Sequence, residues 1–226
     1  MTLADLTRLA QAGEGLTLEF KRKVPHPARL AKEVIALANT EGGRLLIGVD
    51  DDGTVTGLKD AIEEEYALRE ALALHCDPPV VYSTERVPLT PKRDVLVVRV
   101  PVSAKRPHFL VAGDEVDPPA AYVRVGESSV EASKEAVRLM RLRASEGPGV
   151  TFEYGDKEAL LMRYLDAYGR ITVAAFAQLA AIPVRRASHT LVLLTRAGLL
   201  RHHLDAREDF FTRGYGEAPV NGTPAR

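Results

Sequence analysis

Residues 39–57 read NTEGGRLLIGVDDDGTVTG, and this stretch restricts the fold more than any other in the chain. An apolar run, 45–49, leaves a double glycine and ends in three consecutive aspartates and a further glycine. Aliphatic residues bounded by glycine on both sides describe a buried strand. Asp52-Gly53 then predicts a tight turn into a second short strand, 54–57. A strand that carries carboxylates to its own end is a common scaffold for a metal or phosphate site. It is equally common as a plain polar hairpin.

The periodicities on either side fill in a mixed domain. Leu3, Leu6, Leu9 and Ala10 recur at helical spacing, which predicts a helix over 2–12 with Thr2 as its N-cap. Gly13 and Gly15 break it. Residues 16–21 alternate as a strand, with Leu16, Leu18 and Phe20 on one face and Thr17, Glu19 and Lys21 on the other. Helices are predicted over 28–39, stopped by Gly42-Gly43, and over 60–75, ended by Asp77-Pro78-Pro79. Strands follow at 80–87, 95–100 and 121–125, with a short one at 109–111, and a helix over 130–143 closes the domain edge. The mixture predicts an α+β domain, built on a mixed α/β sheet, over residues 1–145.

Glu146-Gly147-Pro148-Gly149 marks a linker, 146–155, beyond which the pattern changes. Helices are predicted over 156–168, 173–181 and 185–197, with Ile182-Pro183-Val184 as the turn between the last two. A hairpin of 199–204 and 209–213 completes the series. This is the element order of a winged helix-turn-helix over 156–214. Residues 215–226 are polar and read as a flexible tail.

Charge separates the two parts. From Asp156 onward ten Lys/Arg face seven Asp/Glu, a balance of +3, which leaves -4 for the first 155 residues of a chain whose net charge is -1. Between Ile182 and Leu204 stand four arginines, three histidines and no acid, a pattern suited to an anionic partner. No apolar stretch approaches the roughly 18 residues of a membrane span. The N-terminal segment carries acids rather than a basic-then-apolar signal, and Cys76 is the single cysteine, so a cytoplasmic location is expected. Two Asn and two Gln in the whole chain fit a thermophilic source.

On the third C-terminal helix, Ala187, Leu191, Leu194 and Ala197 share one face at steps of three and four. Arg185, Arg186, Ser188, His189 and Arg196 remain for solvent or DNA. Residues at the start of such a helix enter the major groove, where arginines donate to guanine edges or phosphates. Arg201, His202 and His203 fall on the wing. In the first domain the notable constellation is Glu14, Glu19, Lys21 and Asp50-Asp51-Asp52. Carboxylates arriving from adjacent strands could hold Mg²⁺ or Mn²⁺, with the lysine stabilising negative charge in a transition state. The competing reading is a weak exposed ion pair beside a solvated turn. No GxxxxGK[ST] loop occurs, and His26, His75 and His108 lack ligand spacing.

Glu14-Gly-Leu-Thr-Leu-Glu19-Phe20-Lys21, Ala38-Asn39-Thr40-Glu41-Gly42-Gly43, the run Leu46 to Gly53, and Tyr122-Val123-Arg124-Val125-Gly126 with Ser128-Ser129 resemble the Schlafen-type AlbA_2 domain, in family order and over about residues 1–145. The resemblance implies a DNA-binding or transcriptional regulator, as prokaryotic members with a C-terminal winged helix are described. It also implies, from the animal Schlafen proteins, a metal-dependent endoribonuclease acting on structured RNA. Carried over by motif, the acidic triad is Glu14, Glu19 and Asp51, with Asp50 as the alternative to Asp51.

The favoured expectation is a dimeric DNA-binding transcriptional regulator that reads duplex DNA with the winged helix. The alternatives are a divalent-metal-dependent nuclease acting on RNA, with Glu14, Glu19, Asp51 and Lys21 as its catalytic set, and an interaction module without catalysis.

Overall fold

The computed structural model describes residues 1–112, 116–144 and 154–214. The chain divides into two compact units, Met1–Ala132 and Ser133–Arg226.

In the first unit helix α1 (Leu3–Ala12) starts at Thr2, whose hydroxyl accepts from the Asp5 amide while the Asp5 carboxylate accepts from the Thr2 amide. This reciprocal cap satisfies two donors at the helix start. There follow β1 (Leu18–Lys21), α2 (Pro27–Asn39), β2 (Gly43–Ile47), α3 (Ala61–His75), β3 (Cys76–Asp77), β4 (Ser83–Thr90), β5 (Arg93–Val100), β6 (Phe109–Ala112), β7 (Val116–Val125) and β8 (Ser128–Glu131). One sheet has the order β1-β2-β5-β4 and a second has β3-β6-β7-β8. β1 runs parallel to β2, and the other pairings are antiparallel.

The apolar run after the double glycine is buried on both faces, which is why it shows no polar alternation. Leu45 and Ile47, with Leu96 and Val98 of β5, pack in the cluster formed with α2 and α3. Leu46, with Val95 and Val97, packs against Leu6 and Ala10 of α1 and Phe20 of β1. Helix α2 touches β2 and β5 of one sheet and β6, β7 and β8 of the other, so its residues from Val34 to Asn39 are all buried. Gly43 makes the close approach possible. At φ +153° a Cβ there would lie 2.3 Å from the Thr17 carbonyl oxygen.

Two sequence expectations change here. Residues 54–57 form no strand; Val49 and Val55 make an isolated bridge, and the Asp50 amide donates to the Thr54 carbonyl at 2.9 Å across a tight turn. The strand expected at 80–87 runs instead from Ser83 to Thr90. Along β4, an outer strand, Val87 alone is fully buried, so apolar content does not mark its ends.

The second unit contains α4 (Lys134–Ala144), α5 (Asp156–Tyr168), β9 (Arg170–Ile171), α6 (Val173–Leu179), α7 (Val184–Arg196), β10 (Leu200–His203) and β11 (Phe210–Arg213). Its antiparallel sheet has the order β10-β11-β9. Leu161, Leu165, Phe176, Ala187, Leu191, Leu194, Leu200 and Phe211 form the core. The helix expected to close the first domain is split: 128–131 is β8, and α4 belongs to the second unit, where it packs on α7. Residues 146–153 of the expected linker and the tail 215–226 lie outside the described residues.

Candidate functional site

β1 delivers Glu19 and Lys21 to one sheet face, and the turn before it brings Glu14 alongside. Glu14 Oε1 accepts from the Phe20 amide at 2.8 Å. Burial pushes the Glu14 carboxyl above the usual carboxylate range, helped by the charges of Glu19 and Asp51 and opposed by the Phe20 amide and Lys21. Glu19 is 4% exposed, so its face of β1 is not the solvated one that alternation predicts. Its Oε1 accepts from Lys21 Nζ, and its Oε2 accepts from Arg124 Nη1 at 2.6 Å.

Arg124, from β7, is the residue that sequence reasoning leaves out of the site. It is among the largest fully buried side chains. Beyond Glu19 its guanidinium reaches Glu33 Oε2 at 3.3 Å, Ser129 Oγ at 3.2 Å and the Gly15 carbonyl at 2.6 Å. Ser129 also donates to Glu33. The signal that points to it is a charged residue set between valines in Tyr122-Val123-Arg124-Val125, where a strand otherwise buries apolar side chains.

The aspartates lie on the turn after β2, where Asp51 is near enough for its charge to act on Glu14. Asp50 lies 3.6 Å from the exposed Arg22 guanidinium. Asp51 is exposed. Asp52 Oδ1 accepts from the Thr54 amide at 2.8 Å, and this bond holds its carboxyl below the usual range. Among the described residues no three His, Cys, Asp or Glu side chains are grouped to hold a metal ion. Glu14, Glu19 and Asp51, the set expected to hold Mg²⁺ or Mn²⁺, do not stand in such a group, although the charges of Glu19 and Asp51 both act on Glu14. Both Glu19 oxygens are engaged by cations, Oε1 by Lys21 and Oε2 by Arg124. The arrangement serves as a buried ion-pair network joining β1, α2, β7 and β8.

In the second unit, helix α7 has three faces. Ala187, Leu191 and Leu194 enter the core. Ser188 and Val192 are buried as well, and the Ser188 hydroxyl accepts from Arg138 Nη1 at 2.8 Å and donates to Glu135 Oε1, both of α4. Ser188, expected among the nucleic-acid contacts, is thus covered by α4. Arg185, Arg186 and His189 are exposed, Arg196 is half-buried, and Arg201 is exposed on β10. None of these five side chains has a hydrogen-bond or ion-pair partner among the described residues.

The hairpin is organised by its own polar bonds. Burial works to raise the Asp209 carboxyl, but hydrogen bonds from His202, Ser133 and the Asp205 amide outweigh it and hold the group below the usual range. His203 stacks on Phe210 with ring centroids 4.8 Å apart, and the Arg170 guanidinium lies 5.4 Å from the Phe210 ring centre. Burial lowers the basicity of His203, with the charges of His202 and Arg201 acting the same way.

The chain is similar to the DIP2311 protein of Corynebacterium diphtheriae, at 18% identity and a TM-score of 0.45, over 94% of this chain and 38% of that one. It thus spans less than two thirds of that protein. It is also similar to the N-terminal domain of a putative ATP-dependent DNA helicase RecG-related protein from Nitrosomonas europaea. There the identity is 24% and the TM-score 0.40, over 57% of this chain and 91% of that one. None of the curated proteins matches in sequence. Residues 14–133 match the family described as Schlafen, AlbA_2, and the match ends one residue beyond the first compact unit. That stretch is 120 of the 226 residues, and the chain belongs to the Schlafen AlbA_2 family.

Proposed function

We propose that this chain is a nucleic-acid-binding protein, a DNA-binding transcriptional regulator whose second unit is a winged helix-turn-helix. The observation that carries the reading is the outer face of α7. It presents Arg185, Arg186, His189 and Arg196, all without an acidic partner among the described residues, beside Arg201 on the first strand of the hairpin. Unpaired guanidinium groups on one helix face match the phosphates and guanine edges of a duplex. The order α5-β9-α6-α7-β10-β11 supports it, since α7 then takes the recognition position and the hairpin the wing. Membership of the AlbA_2 family agrees with a nucleic-acid role. The reading includes a homodimer, which light scattering of the full chain checks.

The test is duplex DNA binding by fluorescence anisotropy at two salt concentrations. Arg185→Ala combined with Arg186→Ala should weaken binding and lower the slope of log affinity against log salt by about 2, close to one unit for each phosphate no longer neutralised. An unchanged slope and affinity would overturn the proposal.

A further inference from the structure

On the first sheet, Arg44 of β2 stands directly opposite Arg99 of β5, and both side chains are half-buried. Alternation places them on the sheet face that carries Leu46, Val97 and α1, opposite the face that carries Glu19. Like charges in direct cross-strand opposition repel. Arg99 is answered by Glu85, whose Oε2 lies 2.6 Å from Arg99 Nη2. Arg44 has no side-chain partner among the described residues. A third guanidinium, Arg8 of α1, faces the same groove of about 320 Å³, which Asp5, Arg8, Leu9, Arg44 and Arg99 help to line. Asp5 is already committed: its Oδ1 lies 3.8 Å from Arg8 Nη2, and its Oδ2 accepts from the Thr2 hydroxyl at 2.6 Å. Both carboxylates within reach are therefore spoken for, and a half-buried cation remains uncompensated.

We propose that this groove binds a phosphate group, carried by a nucleotide or by a nucleic-acid strand. A phosphate offers several acceptor oxygens in the fork geometry that guanidinium groups match. Seated between Arg44 and Arg99 it supplies the missing negative charge and relieves the cross-strand repulsion. Arg8 closes the groove from the helix side, and Leu9 gives an apolar wall for the ester. The groove volume falls at the small end of ligand pockets. The site belongs to the first unit and does not depend on the α7 face.

Calorimetric titration of the full chain with inorganic phosphate, AMP and a short single-stranded oligonucleotide tests this. Arg44→Gln breaks no side-chain bond among the described residues and should keep the wild-type circular dichroism spectrum and melting temperature. It should weaken phosphate and AMP binding about tenfold, the loss of one charge-assisted bonding pair. Arg8→Gln, on an exposed helix position, should give a smaller loss in the same direction. Arg185→Ala with Arg186→Ala should bind phosphate and AMP as wild type does, which separates this site from the proposed duplex-binding face. An oligonucleotide that binds more tightly than AMP, with the surplus lost in Arg44→Gln, identifies a strand as the source; equal affinity identifies a free nucleotide. No binding of any probe by the wild type, or unaltered binding by Arg44→Gln, overturns the proposal.

Discussion

Arg124 Nη1 lies 2.6 Å from Glu19 Oε2, with the arginine side chain fully removed from solvent and the glutamate side chain 6% exposed. The two residues come from strands of different sheets, and the same guanidinium reaches Glu33 on α2, the helix that packs against both sheets. Glu19, the glutamate set before Phe-Lys, is one half of an ion pair that ties the sheets together.

Breaking that pair should be costly. Arg124→Met leaves Glu19 with Lys21 but takes from Glu33 the cation it faces, and buried carboxylates without counter-charge destabilise a fold by about 3–5 kcal/mol. Urea unfolding of the variant against wild type measures it, through a shifted midpoint at constant slope. A loss below about 1 kcal/mol would mean that the guanidinium is replaceable, and that Glu19 is free for another role.

Asn39 makes a second prediction. Its side-chain nitrogen donates to the His108 and Tyr122 carbonyls, both at 2.9 Å, and its oxygen accepts from the His108 amide at 2.8 Å. Asn39→Leu keeps the volume but strands three backbone groups in a site that is 4% exposed. The expected cost is about 2 kcal/mol or more. Thermal unfolding that is unchanged in the variant would show that these groups find other partners.

How far the sequence carries depends on the range of the interaction. The run Leu45 to Val49 is readable as buried because both of its faces are apolar, and Thr2 is readable as a cap because a cap bonds within three residues. β9 is two residues long and exists through its pairing with β11, so no periodicity could reveal it. The Arg124–Glu19 pair spans 105 residues of chain, and no local pattern encodes it. Helix α7 misleads in a different way. Its strongest apolar stripe marks one buried face, while the face carrying Ser188 is buried by polar bonds to α4 that hydrophobic spacing cannot register.

Histidine 108 should leave a mark on the pH dependence of stability. Burial holds its basicity below the ordinary value of 6.5, with Lys105 acting the same way and the Pro78 carbonyl and Asp77 opposing. Its Nδ1 lies 2.6 Å from the Pro78 carbonyl and its Nε2 2.7 Å from Ser103 Oγ. The folded chain thus takes up this proton at a lower pH than the unfolded chain. Below 6.5 the unfolded state binds more protons, so this contribution to stability falls as pH drops toward the folded value, by at most about 1.4 kcal/mol per pH unit. Wild type and His108→Gln, unfolded in urea between pH 5 and 8, should differ in slope on the acid side alone. Identical slopes would place the proton elsewhere.

Ser188 and His189 are neighbours on α7 that should respond in opposite ways. Ser188→Ala removes the hydroxyl shared by Glu135 and Arg138, and the expected cost is about 1 kcal/mol of stability, with duplex DNA affinity unchanged. His189 is exposed and has no partner among the described residues, so His189→Ala should leave stability within about 0.5 kcal/mol. Its effect should appear in binding, as a several-fold loss of duplex affinity. Paired urea and anisotropy measurements on the two variants decide between a face that reads nucleic acid and one that merely holds the helix. Reduced DNA binding by the folded Ser188→Ala protein, with none lost in His189→Ala, would place the recognition surface on the α4 side of the helix instead.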